Sequence, residues 1–222
     1  LNLKSLGADV KLFSVIGDDF NSQIFIDLLK KENIKSNYIV REKGRITTVK
    51  KRIISEKYFS RNYNKHHIRI DDEVVSNIKD EFGFINLIKS NMKDIDAIIL
   101  QDYNKGNLTK TVIEKVISEA NKKNIPTLCD PKNTNFYSFK NCTLIKPNLS
   151  EIMSGGNIKI NLKDKISISE GTQKLLSKMN CKYVMLTMSE NGMFLKSKNS
   201  AYHFKNIDRK IIDVSGAGDT VI

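Results

Sequence analysis

Long apolar runs and paired cysteines are the features that this chain of 222 residues most clearly lacks. No apolar run approaches the ~20 residues that a membrane-spanning helix needs, so we expect no membrane partner. The three cysteines show no C-x-x-C spacing, which argues against a zinc site, and their odd number argues against a disulfide framework. The cysteines therefore favour a reducing, cytoplasmic compartment.

Arginine is also scarce, although the chain is strongly basic. It occurs only at positions 41, 45, 52, 61, 69 and 209, and lysine supplies nearly all of the excess behind the formal net charge of +12. The basic residues are dispersed along the chain, and no aromatic platform for stacking bases is interleaved with them. We interpret the lysines as a solvated surface and expect no nucleic-acid partner.

Short apolar segments alternate with amphipathic segments, and this pattern favours an α/β fold with an open, mainly parallel sheet and helices on both faces. The predicted strands cover 11–16, 46–54, 97–100, 126–129, 143–145, 183–187, 193–196 and 201–204, with a last strand near 210–212. The predicted helices cover 20–31, 109–120 and 170–179. Segment 44–71 is predicted to form a small projecting β lid.

Two of the predicted helices carry an apolar face at helical spacing. In the first helix the face consists of Phe20, Ile24, Phe25, Leu28 and Leu29. In the second it consists of Val112, Ile113, Val116, Ile117 and Ala120. Thr109 is placed to cap the second helix.

Polar side chains follow successive predicted strands, where ligands bind in an open α/β sheet. These side chains are Asp102, Asp130, Lys146, Asn148, Glu151, Thr187, Ser189, Glu190 and Asp213. Each of them has an alternative interpretation as a helix cap or a turn residue. Together they predict a polar rim of the kind that a catalytic cleft needs.

A glycine turn, Gly216-Ala-Gly-Asp219, lies near the end of the sequence. Such a turn directs several backbone N–H groups to one point where an anion can bind. Asp219 places a carboxylate beside that point, where it can accept a proton from a hydroxyl group. The alternative is an acidic residue that stabilises the first turn of a helix.

The segment Asp213-Val-Ser-Gly-Ala-Gly-Asp219 resembles the C-terminal signature of the ribokinase (PfkB) family of carbohydrate kinases. Asn148-Leu-Ser-Glu151 is similar to the N-x-x-E motif of that family, and Thr187-Met-Ser-Glu-Asn-Gly192 is similar to its nucleotide-contacting loop. The resemblance implies a ribokinase-like fold, ATP and Mg²⁺ as cofactors, and a sugar or sugar phosphate as the acceptor. It identifies residues 1–222 as an incomplete kinase domain with the lid inserted.

The resemblance also implies roles for individual residues. Asp219 would be the general base, and Gly216, Ala217 and Gly218 would donate N–H groups to the transferring phosphoryl group. The nucleotide would contact Thr187, Ser189, Glu190, Gly192 and Asn148. Asn148 and Glu151 would hold Mg²⁺ through water, or would simply cap a helix. Asp213 would contribute to a monovalent-cation site.

Further stretches, among them Ile68-Arg-Ile-Asp71 and Asp130-Pro-Lys132, resemble the branch of the family that phosphorylates heptose 7-phosphate. The reaction implied is phosphorylation of the anomeric hydroxyl to the 1,7-bisphosphate, on the route to ADP-heptose for lipopolysaccharide. The substrate would contact Asp19, Lys50, Arg52, Arg69 and Asp102, and the lid would form a homodimer contact. His66-His67 and Asn104 depart from the pattern of this branch, so a kinase for another sugar stays open.

The resemblance also concerns the ends of the sequence. Members of the family have a strand with a substrate-binding aspartate before the segment that begins here at Leu1, and they have more chain after the glycine turn. We expect that this chain is truncated at both ends, that no helix follows Asp219, and that the chain alone has little kinase activity. A non-catalytic sugar- or nucleotide-binding remnant is therefore a further interpretation.

Overall fold

The computed structural model describes residues 1–55, 65–206 and 217–222. They belong to two compact units, one comprising Leu1–Lys79 and one that begins at Asp80. The helices are α1 Asn2–Ser5, α2 Phe20–Lys31, α3 Glu81–Ser90, α4 Lys110–Lys122, α5 Leu149–Ser154, α6 Lys165–Met179 and α7 Ala217–Val221. The strands are β1 Ser14–Gly17, β2 Ile39–Glu42, β3 Val49–Ser55, β4 Lys65–Asp72, β5 Ile98–Gln101, β6 Thr127–Asp130, β7 Leu144–Ile145, β8 Tyr183–Thr187, β9 Met193–Ser197 and β10 Ala201–Phe204.

The first unit contains a β–α–β arrangement in which β1 and β2 pair in parallel and α2 connects them. Asp19 begins α2, because its Oδ1 accepts the N–H of Ser22 at 2.8 Å. The apolar face predicted for this helix is not a buried face. Leu29 is buried, whereas Phe20, Ile24 and Leu28 are exposed.

The predicted small sheet is an antiparallel pair of β3 and β4. Lys50 pairs with Asp71 and Arg52 pairs with Arg69, and because side chains alternate along a strand, these four share one face. The other face carries three exposed isoleucines, Ile53, Ile68 and Ile70. One face is therefore charged at these positions, whereas the other combines the isoleucines with Lys51 and Asp72.

The second unit is built on a six-stranded sheet in the order β10-β9-β8-β7-β6-β5. Strands β5 to β8 are parallel, while β9 and β10 form an antiparallel hairpin at one edge. Helices lie on both faces, and α6 packs against β8 and β9. The open, mainly parallel sheet predicted from the sequence is confirmed.

In the second unit, the apolar spacing of α4 correctly predicts which face of the helix is buried. Thr109 caps it, with Oγ1 accepting the N–H of Val112 at 3.2 Å. The predicted apolar face is buried without exception: Val112, Ile113, Val116, Ile117 and Ala120. No helix within the described ranges is both long and apolar enough to span a membrane.

Several elements differ from the sequence prediction. Helix α6 begins at Lys165 rather than at 170, because Asp164 caps it by accepting the N–H of Ile166 at 2.9 Å. Helices α1 and α3 and strand β2 were not predicted. The expectation that no helix follows Asp219 is wrong, since α7 contains that residue and continues to Val221.

Candidate active site

The carboxyl ends of the parallel strands bring several predicted site residues to one edge of the second unit. Asp102 follows β5 directly, Asp130 ends β6, and Lys146 follows β7. The register pairs Gln101 with Asp130 and Cys129 with Ile145, so these strand ends are neighbours. The predicted polar rim is therefore present from β5 to β7.

This edge contains a buried charge cluster, which we define as Asp102, Asp130, Lys132, Lys146 and Glu151. Lys146 Nζ lies 3.1 Å from Asp130 Oδ2, and both side chains are almost fully buried. Lys132 Nζ pairs with Glu151 Oε1 and is the more exposed partner. The cluster holds more acidic than basic groups, so it has room for one further positive charge or hydrogen-bond donor.

Asp102 is the least satisfied member of the charge cluster. Its Oδ1 accepts the N–H of Asn104 at 2.7 Å. Its Oδ2 is buried and has no hydrogen-bond partner among the described residues. Desolvation raises the pKa of this carboxyl above its ordinary value, although the Asn104 N–H and the charge of Lys132 oppose the shift. An unpaired acceptor of this kind fits a hydroxyl group or a cation.

The pKa values of Asp130 and Lys132 shift in directions that follow from burial and pairing. Desolvation raises the pKa of Asp130, although Lys146 opposes the shift. Desolvation disfavours the charged form of Lys132, but the hydrogen bond and charge of Glu151 outweigh it and raise the pKa of Lys132. Perturbed carboxyl groups at a sheet edge are typical of functional sites.

Asn148 and Glu151 form a capping box at the start of α5. Asn148 Oδ1 accepts the N–H of Glu151 at 2.8 Å, and Glu151 Oε2 accepts the N–H of Asn148 at 2.9 Å. The alternative considered in the sequence, helix capping, is therefore realised. Capping leaves Glu151 Oε1 for the pair with Lys132.

The donors at this edge fit a metal held through water rather than one held by side chains alone. Within residues 1–55, 65–206 and 217–222, no three histidine, cysteine or acidic side chains are grouped closely enough to hold a metal ion. Glu151 and Asn148 nevertheless supply the oxygen ligands that Mg²⁺ prefers, and Mg²⁺ usually keeps several of its waters.

The predicted nucleotide loop directly follows β8. A backbone bridge pairs Thr187 with Asn148, and the N–H of Thr187 donates to the carbonyl of Pro147 at 3.1 Å. The two motifs are thus adjacent in space. Ser189 and Gly192 both have positive φ, at 51° and 81°, and the N–H of Gly192 donates to the carbonyl of Ser189 at 3.0 Å.

The end of the β9–β10 hairpin holds this loop in its turned conformation. The His203 ring nitrogen Nε2 lies 2.8 Å from the carbonyl oxygen of Asn191. The Asn206 amide donates to the carbonyl of Ser189 at 3.0 Å. A Cβ on Gly192 would lie 2.0 Å from the carbonyl oxygen of Phe204, so only glycine fits there. Glu190 is exposed on the loop.

The predicted substrate residues of the first unit form two groups. Asp19 is engaged by the backbone, since Oδ1 accepts from Ser22 and Oδ2 accepts the N–H of Thr47 at 2.7 Å. Burial opposes ionisation of Asp19, but these hydrogen bonds outweigh it and lower its pKa. The second group lies on the charged face of β3 and β4.

On that face Lys50 and Arg69 are already paired. Lys50 Nζ lies 3.0 Å from Asp71 and 3.3 Å from Glu73, and Arg69 Nε lies 3.1 Å from Asp71. Arg52 is exposed and has no acidic partner within the described part of the chain. Arg52 is therefore the cation of this face that is most available to an anion.

Part of the predicted catalytic turn lies outside the described residues. Asp213 and Gly216 lie outside the described residues, and so does the side chain of Asp219. The backbones of Ala217 and Gly218 begin α7, and Gly218 is exposed. Their roles stay predictions.

Two lysines of the charge cluster had no role assigned from the sequence. Lys132 and Lys146 each follow the end of a strand, and that position was the available signal. The acids to which they pair depend on which strands are neighbours, which a sequence pattern does not specify. The structure adds Lys132 to the candidate site and gives Lys146, already part of the predicted polar rim, its partner Asp130.

A family model described as "pfkB family carbohydrate kinase" matches residues 1–222. Curated relatives named "Bifunctional protein HldE" include one from Helicobacter pylori (strain Shi470), 33% identical over 223 residues. Another, from Campylobacter jejuni (strain RM1221), is 35% identical over 222 residues. Both alignments cover 100% of this chain but only 46% and 44% of the relatives, so the chain spans about half their length.

Solved structures show the same fold at lower sequence identity. Phosphofructokinase-2 from Escherichia coli in complex with potassium has a TM-score of 0.76 and 15% identity, covering 99% of this chain and 68% of that one. Arabidopsis thaliana ribokinase complexed with ribose and ATP has a TM-score of 0.65 and 15% identity, covering 94% and 65%. The predicted ribokinase-like fold is confirmed.

Replacing Gly192 by alanine should destabilise the protein more than the same change at Gly44. Both glycines have positive φ, which costs an alanine about 1 to 2 kcal/mol. A Cβ on Gly192 also meets the Phe204 carbonyl, whereas a Cβ on Gly44 meets only Lys79 Nζ, at 3.6 Å. We expect a loss of about 3 kcal/mol or more for Gly192→Ala. Urea unfolding followed by circular dichroism measures the stability of both variants. Equal losses of stability would contradict the close packing of Gly192 against the Phe204 carbonyl.

Asp102→Asn should stabilise the protein at neutral pH by about 1 to 3 kcal/mol, because it removes a buried charge with an unpaired oxygen. Burial raises the pKa of Asp102 above 3.8, so the folded protein keeps a proton that the unfolded chain has lost. The stability that this carboxyl contributes is therefore lost as pH rises through the raised pKa.

The gain of the Asp102→Asn variant should accordingly shrink as pH falls and vanish below the ordinary value of 3.8. Asp96→Asn, at an exposed position of the same unit, is the matched control and should change stability by less than about 0.5 kcal/mol. Unfolding free energies measured across this pH range test the prediction. A pH-independent gain, or an equal gain for both variants, would contradict it.

Proposed function

This chain belongs to the pfkB family of carbohydrate kinases, and we propose that it carries the kinase activity of a protein that phosphorylates heptose 7-phosphate with ATP. The proposal rests above all on one observation, the backbone bridge between Asn148 and Thr187. That bridge joins the N-x-x-E motif to the nucleotide loop at the carboxyl edge of the sheet. The stretches that resemble the heptose 7-phosphate branch support the choice of substrate.

In the proposed reaction, Asp219 accepts the proton of the anomeric hydroxyl as that oxygen attacks the γ-phosphorus of ATP. The bond between the γ-phosphorus and the bridging oxygen breaks, and ADP leaves. Backbone N–H groups of Gly216, Ala217 and Gly218 donate to the phosphoryl oxygens, where charge accumulates. The products are the 1,7-bisphosphate and ADP.

Thr187, Ser189, Glu190 and Gly192 are proposed to contact the nucleotide, in a loop that is already turned and held. Mg²⁺, when bound, supplies positive charge to the phosphate oxygens. Asn148 and Glu151 would hold Mg²⁺ through its waters. Asp213 is proposed as part of a monovalent-cation site, and the potassium complex of the similar phosphofructokinase-2 supports this idea.

Candidate groups for a sugar phosphate are proposed in each unit separately. Asp102 accepts a hydrogen bond from a sugar hydroxyl, since its buried Oδ2 lacks a donor among the described residues. Arg52 binds the 7-phosphate, with Lys50 and Arg69 adding positive charge on the same face. Asp19 serves indirectly, by holding the backbone of Thr47 next to β3.

The apolar face of β3 and β4 is proposed as the homodimer contact. Ile53, Ile68 and Ile70 are exposed there, and exposed apolar groups that lie together favour an interface. Because Lys50, Arg52 and Arg69 lie on the opposite face, the contact would leave Arg52 accessible.

The function is tested by measuring ADP release from ATP with heptose 7-phosphate, fructose 6-phosphate and ribose, for the product of the complete open reading frame. We expect turnover with heptose 7-phosphate, and we expect the rate of ADP release to fall about 100-fold or more in Asp219→Asn. Turnover on ribose alone would refute the substrate. Sugar-independent ADP release, or none with any sugar, would refute the kinase.

Arg52→Ala should raise the KM for heptose 7-phosphate by about tenfold or more, with a small change in kcat, because a charged hydrogen bond to the phosphate is lost. Lys51→Ala is the matched control. Lys51 lies on the other face of β3, where it pairs with Asp72 at 3.6 Å. Steady-state kinetics separate the variants, and equal effects on KM would contradict the role of Arg52.

A further inference from the structure

Lys132 and Glu151 form an ion pair that the proposed mechanism does not use. Lys132 follows Asp130 and Pro131 at the end of β6, and its ammonium group contacts Glu151 Oε1. The Glu151 side chain is 8% exposed, whereas that of Lys132 is 37% exposed. The carboxylate is therefore fixed in the interior, while the lysine reaches it from the surface and has space to move away.

The two oxygens of Glu151 have different tasks. Oε2 accepts the N–H of Asn148 at 2.9 Å and completes the capping box, so its loss would weaken the start of α5. Oε1 is the oxygen that can face an incoming ligand, and Lys132 occupies it. A metal ion or its water approaching Oε1 therefore meets the positive charge of this ammonium group.

The remaining groups of the charge cluster favour an exchange of this ammonium group for a metal ion. Asp130 is already neutralised by Lys146 at 3.1 Å. Asp102 keeps an oxygen without a partner among the described residues, so the edge has capacity for added positive charge. An ammonium group and a divalent cation close to the same oxygen repel each other, so the presence of one weakens the binding of the other.

We propose that Lys132 is an internal counter-ion that competes with a divalent metal ion for Glu151. In the metal-free protein Lys132 neutralises the buried carboxylate, and metal binding requires Lys132 to leave it. This inference rests on the proposed function, which assigns Mg²⁺ to Glu151. It makes Lys132 a positioning residue that sets the metal affinity of the nucleotide-free protein.

The competition is tested by titrating the nucleotide-free chain with Mn²⁺ and following free Mn²⁺ by electron paramagnetic resonance. Lys132→Gln should bind Mn²⁺ about tenfold more tightly, because metal binding no longer has to break an ion pair with a buried carboxylate. Lys132→Arg keeps the competing charge and should bind Mn²⁺ like the unmodified chain. Lys174→Gln removes an equal charge from an exposed site on α6 and should also leave the affinity unchanged.

The Glu151→Gln variant tests whether a gain in Mn²⁺ affinity depends on the Glu151 carboxylate. We expect this change to weaken Mn²⁺ binding and to abolish the gain when it is combined with Lys132→Gln. Thermal unfolding provides a second readout. Lys132→Gln leaves Glu151 unpaired, so its Tm without metal should fall and its rise on adding Mn²⁺ should exceed that of the unmodified chain.

Two results would overturn the inference. One is an unchanged or weaker Mn²⁺ affinity in Lys132→Gln while Glu151→Gln still weakens binding. The other is no effect of Glu151→Gln in either background, which would also remove Mg²⁺ from Glu151 in the proposed function. A Glu151-dependent gain in a protein that phosphorylates no sugar would support the inference and refute the kinase assignment, so the two failures are distinguishable.

Discussion

The mutual neutralisation of charges buried at the carboxyl edge of the sheet is the interaction on which the rest of the site depends. Parallel strands end together, so β5, β6 and β7 deliver Asp102, Asp130 and Lys146 to one place. A carboxylate in that interior is costly without a cation, and Lys146 supplies one to Asp130. The same requirement ties Lys132 to Glu151, and the capping box then ties Glu151 to Asn148 and, through a backbone bridge, to β8. Two ion pairs and a capping box thus lie at neighbouring strand ends, and the capping box fixes the start of α5.

The candidate site also contains groups that lower the stability of the folded protein. Asp102 keeps a buried oxygen without a donor among the described residues, and the loop after β8 has two residues with positive φ, one of which is the non-glycine Ser189. Both features lie on the edge to which the sequence motifs point. A protein that must admit a hydroxyl, a metal or a phosphate cannot satisfy every group of its own beforehand. Unsatisfied groups and strained turns are therefore expected at such an edge rather than along the buried faces of α4 and α6.

How far the sequence predicts the fold depends on whether local spacing or long-range pairing decides each feature. The apolar face of α4 follows from helical spacing and a capping threonine, and the structure buries all of it. The positions of Asp102 and Asp130 follow from where apolar strands stop. By contrast, Phe20, Ile24 and Leu28 have correct helical spacing yet are exposed, because spacing does not specify what packs against a face. The partners of Lys132 and Lys146 depend on strand order, and the start of α6 depends on a cap at Asp164 that lies in a polar segment.

The two-stranded sheet of β3 and β4 separates two kinds of surface by the alternation of side chains along each strand. Even-numbered positions of β3 carry Lys50 and Arg52, and odd-numbered positions carry Lys51 and Ile53. A single substitution in β3 therefore alters one surface or the other, but not both. The proposed ligand contact and the proposed dimer contact can consequently change independently, and a one-residue insertion in β3 would move the side chains beyond it to the opposite surface.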